Sequence, residues 1–406
     1  MITTVGTTIE VPAQPLGRLF ARFLHFGLLA WGGPVAQIAM LREAFVDEEK
    51  WISSAHFNRV LAVYQALPGP EAHEMCVYFG MRSRGRIGGL LTGLGFMLPG
   101  FVLMFALSWL YVRYGLDRGG IVAVVFASIQ AAVAALIFRA VYRIGRHVLL
   151  DPWLWSVAAL SFVAQLLGVS FIATLAAGGL IYVCARTARP ALALALASAC
   201  AVMLAALAAR SGFTLAGLPL AVVDEAGAAH SVGSGQLFWS GLKAGLLTFG
   251  GAYTAIPFLQ HDAVVQGAWM SNAQFLDGLG LSGLLPAPLI IFATFVGYIG
   301  GGPIGALLLT AGIFLPAFAI TLVAHAPLER LVHHARLRAF LDGITAAVVG
   351  LIAGTALTLL SGVLTSAMSA VIFVLALIGL WYWNSKLAVP LVIAAAALLG
   401  GVAHVI

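Results

Sequence analysis

Residues 20–70 read FARFLHFGLLAWGGPVAQIAMLREAFVDEEKWISSAHFNRVLAVYQALPGP, and residues 238–288 repeat the pattern as FWSGLKAGLLTFGGAYTAIPFLQHDAVVQGAWMSNAQFLDGLGLSGLLPAP. The two stretches align without a gap at an offset of 218, and 18 of the 51 aligned residues are identical. Chance matches of Leu, Ala and Gly explain part of this identity, but not the Trp and Pro matches in register. Those matches are Trp51 with Trp269, Pro68 with Pro286, and Pro70 with Pro288.

The similarity continues beyond this stretch at slightly smaller offsets. Leu98-Pro99 matches Leu315-Pro316, and Ile129 matches Ile344. A repeat of this length indicates two fused copies of one multi-helix unit, not a solenoid of short modules. We assign residues 1–17 to an N-terminal tail, 18–209 to a first repeat, 210–236 to a connecting loop and 237–406 to a second repeat.

The composition predicts an all-α integral membrane protein. Hydrophobic residues make up 62% of the chain and charged residues 9%, whereas a soluble domain has about a quarter charged residues. Lipid must therefore cover most of the surface. The net charge of +6 comes from segment ends, which indicates membrane topology and no nucleic-acid partner. The three cysteines show no metal-type spacing, so we expect no metal and no cofactor.

One segment of each repeat is apolar but interrupted by proline. Residues 53–83 contain Pro68-Gly69-Pro70, and residues 271–300 contain Pro286-Ala287-Pro288. Proline removes a backbone donor and disfavours helix in the residue before it, so a broken helix is expected in each segment. Paired interruptions in two halves of a membrane protein indicate a transport site.

The distribution of Lys and Arg favours a broken helix that crosses the membrane. Crossing gives about 13 transmembrane segments in two homologous, inverted halves, with 14 basic residues on the inner side against 6 outside. If the broken segment folded back instead, the group Arg139, Arg143 and Arg146 would lie outside, against the positive-inside rule. The sequence does not decide finally between crossing and re-entry, and the exact spans within 153–209 stay open.

Helices that restart after these prolines present unpaired N–H groups and a positive dipole end, which favours an anion. The alternative is a pair of plain kinks, and the glycine pairs beside them also suit simple helix packing. His25 and Lys243 occupy equivalent positions and suit a dianion, although a core histidine and a snorkelling lysine explain them equally well. Arg59 aligns with Asp277. The alternatives for this pair are a gate and a structural ion pair, and Arg59 by itself is a candidate anion ligand. The predicted substrate-binding residues are His25, Gly32, Gly33, Arg59, Pro70, Lys243, Gly250, Gly251 and Pro288.

Titratable residues follow the break in the first repeat only. Glu71, His73 and Glu74 stand where the second repeat has Leu289, Ile291 and Phe292. As a hypothesis, this cluster carries protons in a coupled cycle. Acidic residues in the first turn of a helix are also ordinary complements of its dipole.

The motifs resemble those of the chromate transporter family. They are Trp31-Gly32-Gly33-Pro34, the stretch from Ala66 to Glu74, Tyr78-Phe79-Gly80, Thr248-Phe249-Gly250-Gly251 and Leu315-Pro316-Ala317-Phe318. The resemblance covers both halves and implies a multi-pass protein of the bacterial inner membrane. It implies chromate export, chromate resistance and the proton motive force as driver. The second half departs from the usual Pro-Gly-Pro, because it has Pro286-Ala287-Pro288.

Other activities remain as alternatives. A dianion leaving an inside-negative cell gains about 4.6 kcal/mol per 100 mV, which favours export over uptake. Sulfate has the same shape and charge as chromate, so the physiological anion, the coupling ion and its stoichiometry stay open. An intramembrane enzyme is remote, because neither a His-Glu-x-x-His nor a Gly-x-Ser-x-Gly motif occurs. A channel and a homodimer are left open; the expected partners are a small oxyanion and membrane lipid.

Overall fold

The computed structural model describes residues 11–115, 120–187, 189–210, 232–324, 334–383 and 385–405. The first repeat contains α1 (Leu16–Leu28), α2 (Gly33–Arg42) with a π-helical continuation (Glu43–Glu48), α3 (Ser54–Ala66), α4 (Glu71–Tyr114), α5 (Gly120–Val148), α6 (Pro152–Leu166) and α7 (Phe171–Arg186). A further helix, α8, spans Pro190–Arg210. Most of the predicted connecting loop, 211–231, lies outside the described residues.

The second repeat contains equivalent elements in the same order, with a 3-10 turn and the short α10 in place of α2 and a further 3-10 turn before α12. They are α9 (Ser234–Leu246), a 3-10 turn (Ala252–Ala255), α10 (Ile256–Gln260), a π-helical turn (His261–Gln266), α11 (Asn272–Gly283), a 3-10 turn (Leu289–Ile291), α12 (Phe292–Ala319) with a π-helical end (Ile320–Ala324), α13 (Ala335–Val363), α14 (Ala367–Tyr382) and α15 (Ala388–Val405). Helices α1 and α9, both π-helical turns after them, and the starts of α3 and α11 are each offset by 218. The duplication therefore extends to local backbone geometry.

The first two helices of the chain form a hairpin. Arg22 in the second turn of α1 pairs with Glu49, which follows the π-helical end of α2. Phe23 stacks on Phe45 with ring centroids 5.7 Å apart. The end of the α2 segment therefore lies beside the start of α1, and the chain has returned to the level where α1 begins.

The broken segment of the first repeat forms a second hairpin. His56, in the first turn of α3, contacts the Tyr78 hydroxyl at 2.7 Å, and Phe57 packs on Phe79. Because the break at residues 67–70 joins α3 to α4, these contacts make α3 antiparallel to the first part of α4. The geometry differs from the predicted crossing of 53–83, since the segment turns at its break.

Helix α4 itself reverses at Arg84 and Gly85, where the backbone leaves helical geometry and Gly85 adopts φ +61°. A Cβ on Gly80 would lie 2.4 Å from the carbonyl oxygen of Gly88, so the two arms touch through glycine. Helix α12 has the same feature, with a reversal at Gly301–Gly302 and close contact between Gly297 and Gly305. Only glycine permits so close an approach of two backbones.

The two reversals lie at opposite ends of the packed pair formed by α4 and α12. Gly89, just after the first reversal, faces Leu322, which is far beyond the second reversal. Phe105 and Tyr298 contact each other with ring centroids 5.4 Å apart, towards the other end. The long arms of α4 and α12 therefore run in opposite directions.

The repeats exchange helices to build the core. Helix α5 of the first repeat packs on α14 and α15 of the second, and α13 of the second packs on α6 and α7 of the first. Among the described residues, five helical segments are long and apolar enough to cross a membrane, and four shorter apolar helices accompany them. The all-helical prediction is confirmed; the count of 13 spans is not.

Candidate functional site

The proline break of the first repeat contacts the glycine break that follows α9 in the second repeat. Pro68 forms an isolated antiparallel bridge with Phe249, and the Gly69 N–H donates to the Thr248 carbonyl oxygen at 2.8 Å. The break between α3 and α4 therefore lies against the break after α9. Non-helical backbone at this depth requires such a protein partner or water.

Glu71, His73 and Glu74 are buried beside this crossing point, with 7%, 0% and 0% of their surface exposed. Both carboxylate oxygens of Glu74 lack a hydrogen-bond partner, as do both ring nitrogens of His73. The Glu74 carboxylate turns back towards the break, because a Cβ on Gly69 would lie 2.8 Å from its Oε1. Such groups are costly to bury without partners, which indicates a role other than stability.

His73 lies between the two repeats. Its ring centroid is 5.0 Å from that of Phe314 and 4.7 Å from that of Phe318, both in α12. Gly93, on the long arm of α4, contributes backbone close to the ring.

The N-terminus of α4 offers fewer donors than the sequence suggests. The N–H groups of His73 and Glu74 both donate to the Pro70 carbonyl, at 2.9 and 3.1 Å. The N–H groups of Glu71 and Ala72 remain for a ligand. In the second repeat the Ile291 N–H likewise donates to the Pro288 carbonyl at 2.9 Å.

Of the predicted glycine pairs, only one lies at the centre. Gly250 and Gly251 adopt φ +77° and +115°, and a Cβ on Gly251 would lie 4.0 Å from Glu71 Oε1. Gly32 lies instead against the backbone of Lys386. The symmetric copies of the break therefore have different surroundings.

Ala287 explains the departure from Pro-Gly-Pro. Its methyl group lies 2.5 Å from where a Cβ on Gly100 would stand, so the glycine in α4 makes room for it. Pro288 is buried at the same place. This break packs against α4 and carries no titratable side chain at positions 289–292.

Lys243 is paired rather than free. Its Nζ lies 2.6 Å from Asp262 Oδ1, and Ser240 Oγ donates to the other oxygen of Asp262 at 2.8 Å. Nζ also lies 5.2 Å above the Phe171 ring. Its equivalent His25 is exposed, and Ala44 stands where the second repeat has Asp262. The structure shows no contact between His25 and Lys243.

Arg59 and Asp277 also have separate surroundings. Arg59 is exposed on α3. Asp277 has 1% of its surface exposed and accepts hydrogen bonds from Tyr111 at 2.6 Å and Gln130 at 2.8 Å. The sequence did not reveal Asp262, Tyr111 or Gln130 as partners. Asp262 and Asp277 lie within the repeated stretch, but their contacts depend on how the hairpins fold.

The region where the two breaks meet therefore has acidic side chains from α4, Glu71 and Glu74. A dianion about 5 Å from an ionised carboxylate is repelled by roughly 7 kcal/mol at an effective dielectric constant of 20. An anion held by the N–H groups of Glu71 and Ala72 would lie beside two carboxyl groups. Whether such an anion binds depends on the protonation of Glu71 and Glu74.

Two copies of a helical unit, apolar helices that form a multi-pass membrane protein, and helix breaks from both repeats that contact each other define the class of secondary transporters. The chain matches the model of the chromate transporter family over residues 17–183 and again over 235–401. This chain belongs to the chromate transporter family.

Three relatives match along nearly the whole chain. A chromate transport protein of Pseudomonas aeruginosa is 54% identical over 98% of this chain and 95% of its own length. A chromate transport protein of Cupriavidus metallidurans is 30% identical over 99% and 96%. A probable chromate transport protein of Synechococcus elongatus is 29% identical, with 96% of both chains covered. No solved structure matches this chain.

Proposed function

We propose that this protein exports chromate across the bacterial inner membrane as a secondary transporter and thereby gives chromate resistance. The observation that carries the proposal is the match of both repeats to the family, with near-complete coverage of relatives named for chromate transport. The membrane potential, the proton gradient or both supply the energy. The partners are the oxyanion and membrane lipid, and the homodimer stays a prediction.

The proposed topology replaces 13 spans by nine. The α1–α2 pair and the α3–α4 break become re-entrant hairpins, which return to the side where they enter. The nine apolar helices of the described residues then cross the membrane. The opposed reversals of α4 and α12 support an inverted arrangement of the two halves.

The positive-inside rule supports this topology. The group Arg139, Arg143 and Arg146 stays inside, because both early segments fold back. Arg42 and Lys50 move from the outer to the inner side. Among the described residues, only Arg113, Arg210 and Lys243 are then outer basic residues.

The proposed anion site lies at the start of α4. Pro70, the N–H groups of Glu71 and Ala72, and Gly250–Gly251 border it. Pro288 supports the opposite break. The proposal gives Glu71, His73 and Glu74 the proton-coupling role, because they are buried and two of them lack partners.

The remaining predicted ligands belong to the approach to this site. His25, Arg59 and Lys243 lie on the hairpin helices α1, α3 and α9, and Gly32 and Gly33 form the break after α1. Cations on these helices would attract an anion towards the centre. Lys243 can attract an anion only when its ion pair with Asp262 is broken.

Everted membrane vesicles test the function, because export then appears as uptake. We expect saturable chromate accumulation that rises with an imposed potential of physiological sign, with pH clamped separately. His25→Ala, Arg59→Ala and Lys243→Ala should each lower the initial rate, while Glu48→Gln at the surface should not. Wild-type rates in all three alanine variants would remove these residues from the site. Sulfate accumulation that chromate inhibits only weakly would make sulfate the physiological cargo.

A further inference from the structure

We propose that the anion and protons on Glu71 and Glu74 bind together, so that this transporter moves protons in the same direction as its anion. The inference rests on the proposed function and specifies its coupling. It excludes an exchange in which incoming protons displace the outgoing anion.

The first support is the unpartnered carboxyl group aimed at the helix start. Glu74 is fully buried, both of its oxygens lack a hydrogen bond, and it points back to Gly69 in the break. Glu71 extends from the first residue of the same helix towards Gly251. A ligand at the N–H groups of Glu71 and Ala72 therefore meets both carboxyl groups.

The second support is the lack of a compensating cation. In the part of the chain that the structure describes, the ion pairs are Arg22–Glu49 and Lys243–Asp262, and neither involves this site. From α12, Phe314 and Phe318 face the cluster. From the break after α9 come Thr248, Phe249 and Gly251. His73 adjoins both glutamates on α4. Tyr253 follows Gly251 by two residues, and Arg139 and Arg143 of α5 lie near it.

These surroundings fix the sign of the coupling. Ionised glutamates repel an incoming anion, and neither glutamate is in a described ion pair that would offset its charge. A protonated carboxyl group instead carries an O–H that can donate a hydrogen bond to an oxyanion. Proton binding therefore raises anion affinity, and by reciprocity anion binding raises proton affinity.

The same sign determines which gradient helps export. Protons that bind with the anion leave with it, so a proton gradient that is acid outside opposes export. One proton per dianion leaves a net negative charge for the potential to drive outward. Two protons per dianion make the complete cycle electroneutral, and the potential then supplies no driving force for export.

The test measures protons directly. Purified protein in detergent is placed in weakly buffered, mildly alkaline solution with a pH indicator, and chromate, which is then a dianion, is added. We expect proton uptake of up to one proton for each of the two carboxyl groups. Anion affinity should rise roughly tenfold per pH unit for each coupled proton as the pH falls.

Glutamine variants provide the matched comparison. Glu71→Gln with Glu74→Gln mimics the protonated pair, so the double variant should still bind the anion but take up no protons. The surface variant Glu48→Gln should take up protons like the wild type. Proton release on binding, binding without proton exchange, or binding that requires sodium instead would overturn the inference. Because flux in vesicles tests the proposed function and proton uptake tests the coupling, the two fail separately.

Discussion

At the scale of single residues, the buried carboxylates divide into two kinds. Asp277 has defined donors in Tyr111 and Gln130, from α4 and α5. Glu74 has none among the described residues. A satisfied buried carboxylate holds elements together, whereas an unsatisfied one is a cost that a protein keeps for its activity.

Tyr111→Phe should lower stability in detergent, because it removes one donor from the buried Asp277 carboxylate. Loss of a hydrogen bond to a buried charged group costs about 1.5–3 kcal/mol. Thermal unfolding followed by light scattering or intrinsic fluorescence measures the effect. Tyr114→Phe is the matched control, since Tyr114 is 67% exposed and one turn further along the helix. Equal melting temperatures for the two variants would contradict the role assigned to Tyr111.

Sequence reasoning identified the ionisable residues better than their partners. The alignment placed Lys243 opposite His25 and suggested two cationic ligands. The structure pairs Lys243 with Asp262 on the returning arm of the α9–α10 hairpin. That partner could not be predicted, because the return of residues 256–266 to α9 depends on the tertiary fold and no motif in the sequence marks it.

At the scale of helices, the proline positions predicted where the helices break, whereas the sequence did not reveal the reversals at glycine. Pro68 and Pro70 predicted the break between α3 and α4, and the structure confirms that break. The reversal at Gly85 escaped notice, since glycine is common in membrane helices and the flanking residues also read as a helix end. Gly80 and Gly88 lie where the two arms of α4 touch, on either side of this reversal.

Gly80→Ala and Gly305→Ala should each destabilise the protein, because the added methyl group would lie 2.1–2.2 Å from its nearest neighbour in the opposite arm. Overpacking of this kind costs about 1–3 kcal/mol, or more where backbone must move. Gly17→Ala and Gly235→Ala are matched controls, as equivalent second residues of α1 and α9 with open space at the Cβ position. Their melting temperatures should be unchanged or slightly raised. A loss of folded protein in the controls alone would contradict the argument.

At the scale of the whole molecule, the charges and the contacts together support the proposed topology. The sequence predicted two related halves and an all-helical membrane fold, both of which follow from composition and repeat. The count of 13 spans stays a prediction, since a re-entrant hairpin and a crossing helix have the same apolar composition. Contacts such as those of Arg22 with Glu49 and His56 with Tyr78 support re-entrant hairpins.

Single cysteines at Ala55 and Ala273 should react from opposite sides of the membrane. The two residues are equivalent, exposed and at the starts of α3 and α11. In the proposed topology, Ala55→Cys is accessible from the inner side, like Arg86→Cys, and Ala273→Cys from the outer side. Labelling with a membrane-impermeant maleimide in intact cells and everted vesicles measures this, in a variant lacking Cys76, Cys184 and Cys200. Reaction of Ala55→Cys from the outer side would contradict the proposed topology.

Helix α8 makes few contacts with the rest of the protein, but it affects the orientation of the second repeat. Its buried residues are Ala193 and Leu204, and it contacts chiefly α6 and α7. In the proposed topology α4–α7 cross the membrane four times and α12–α15 cross it four times, so the two copies joined directly would share one orientation. Helix α8 adds one crossing between them. In this topology its role is to turn the second copy over, which requires a crossing and no extensive contact surface.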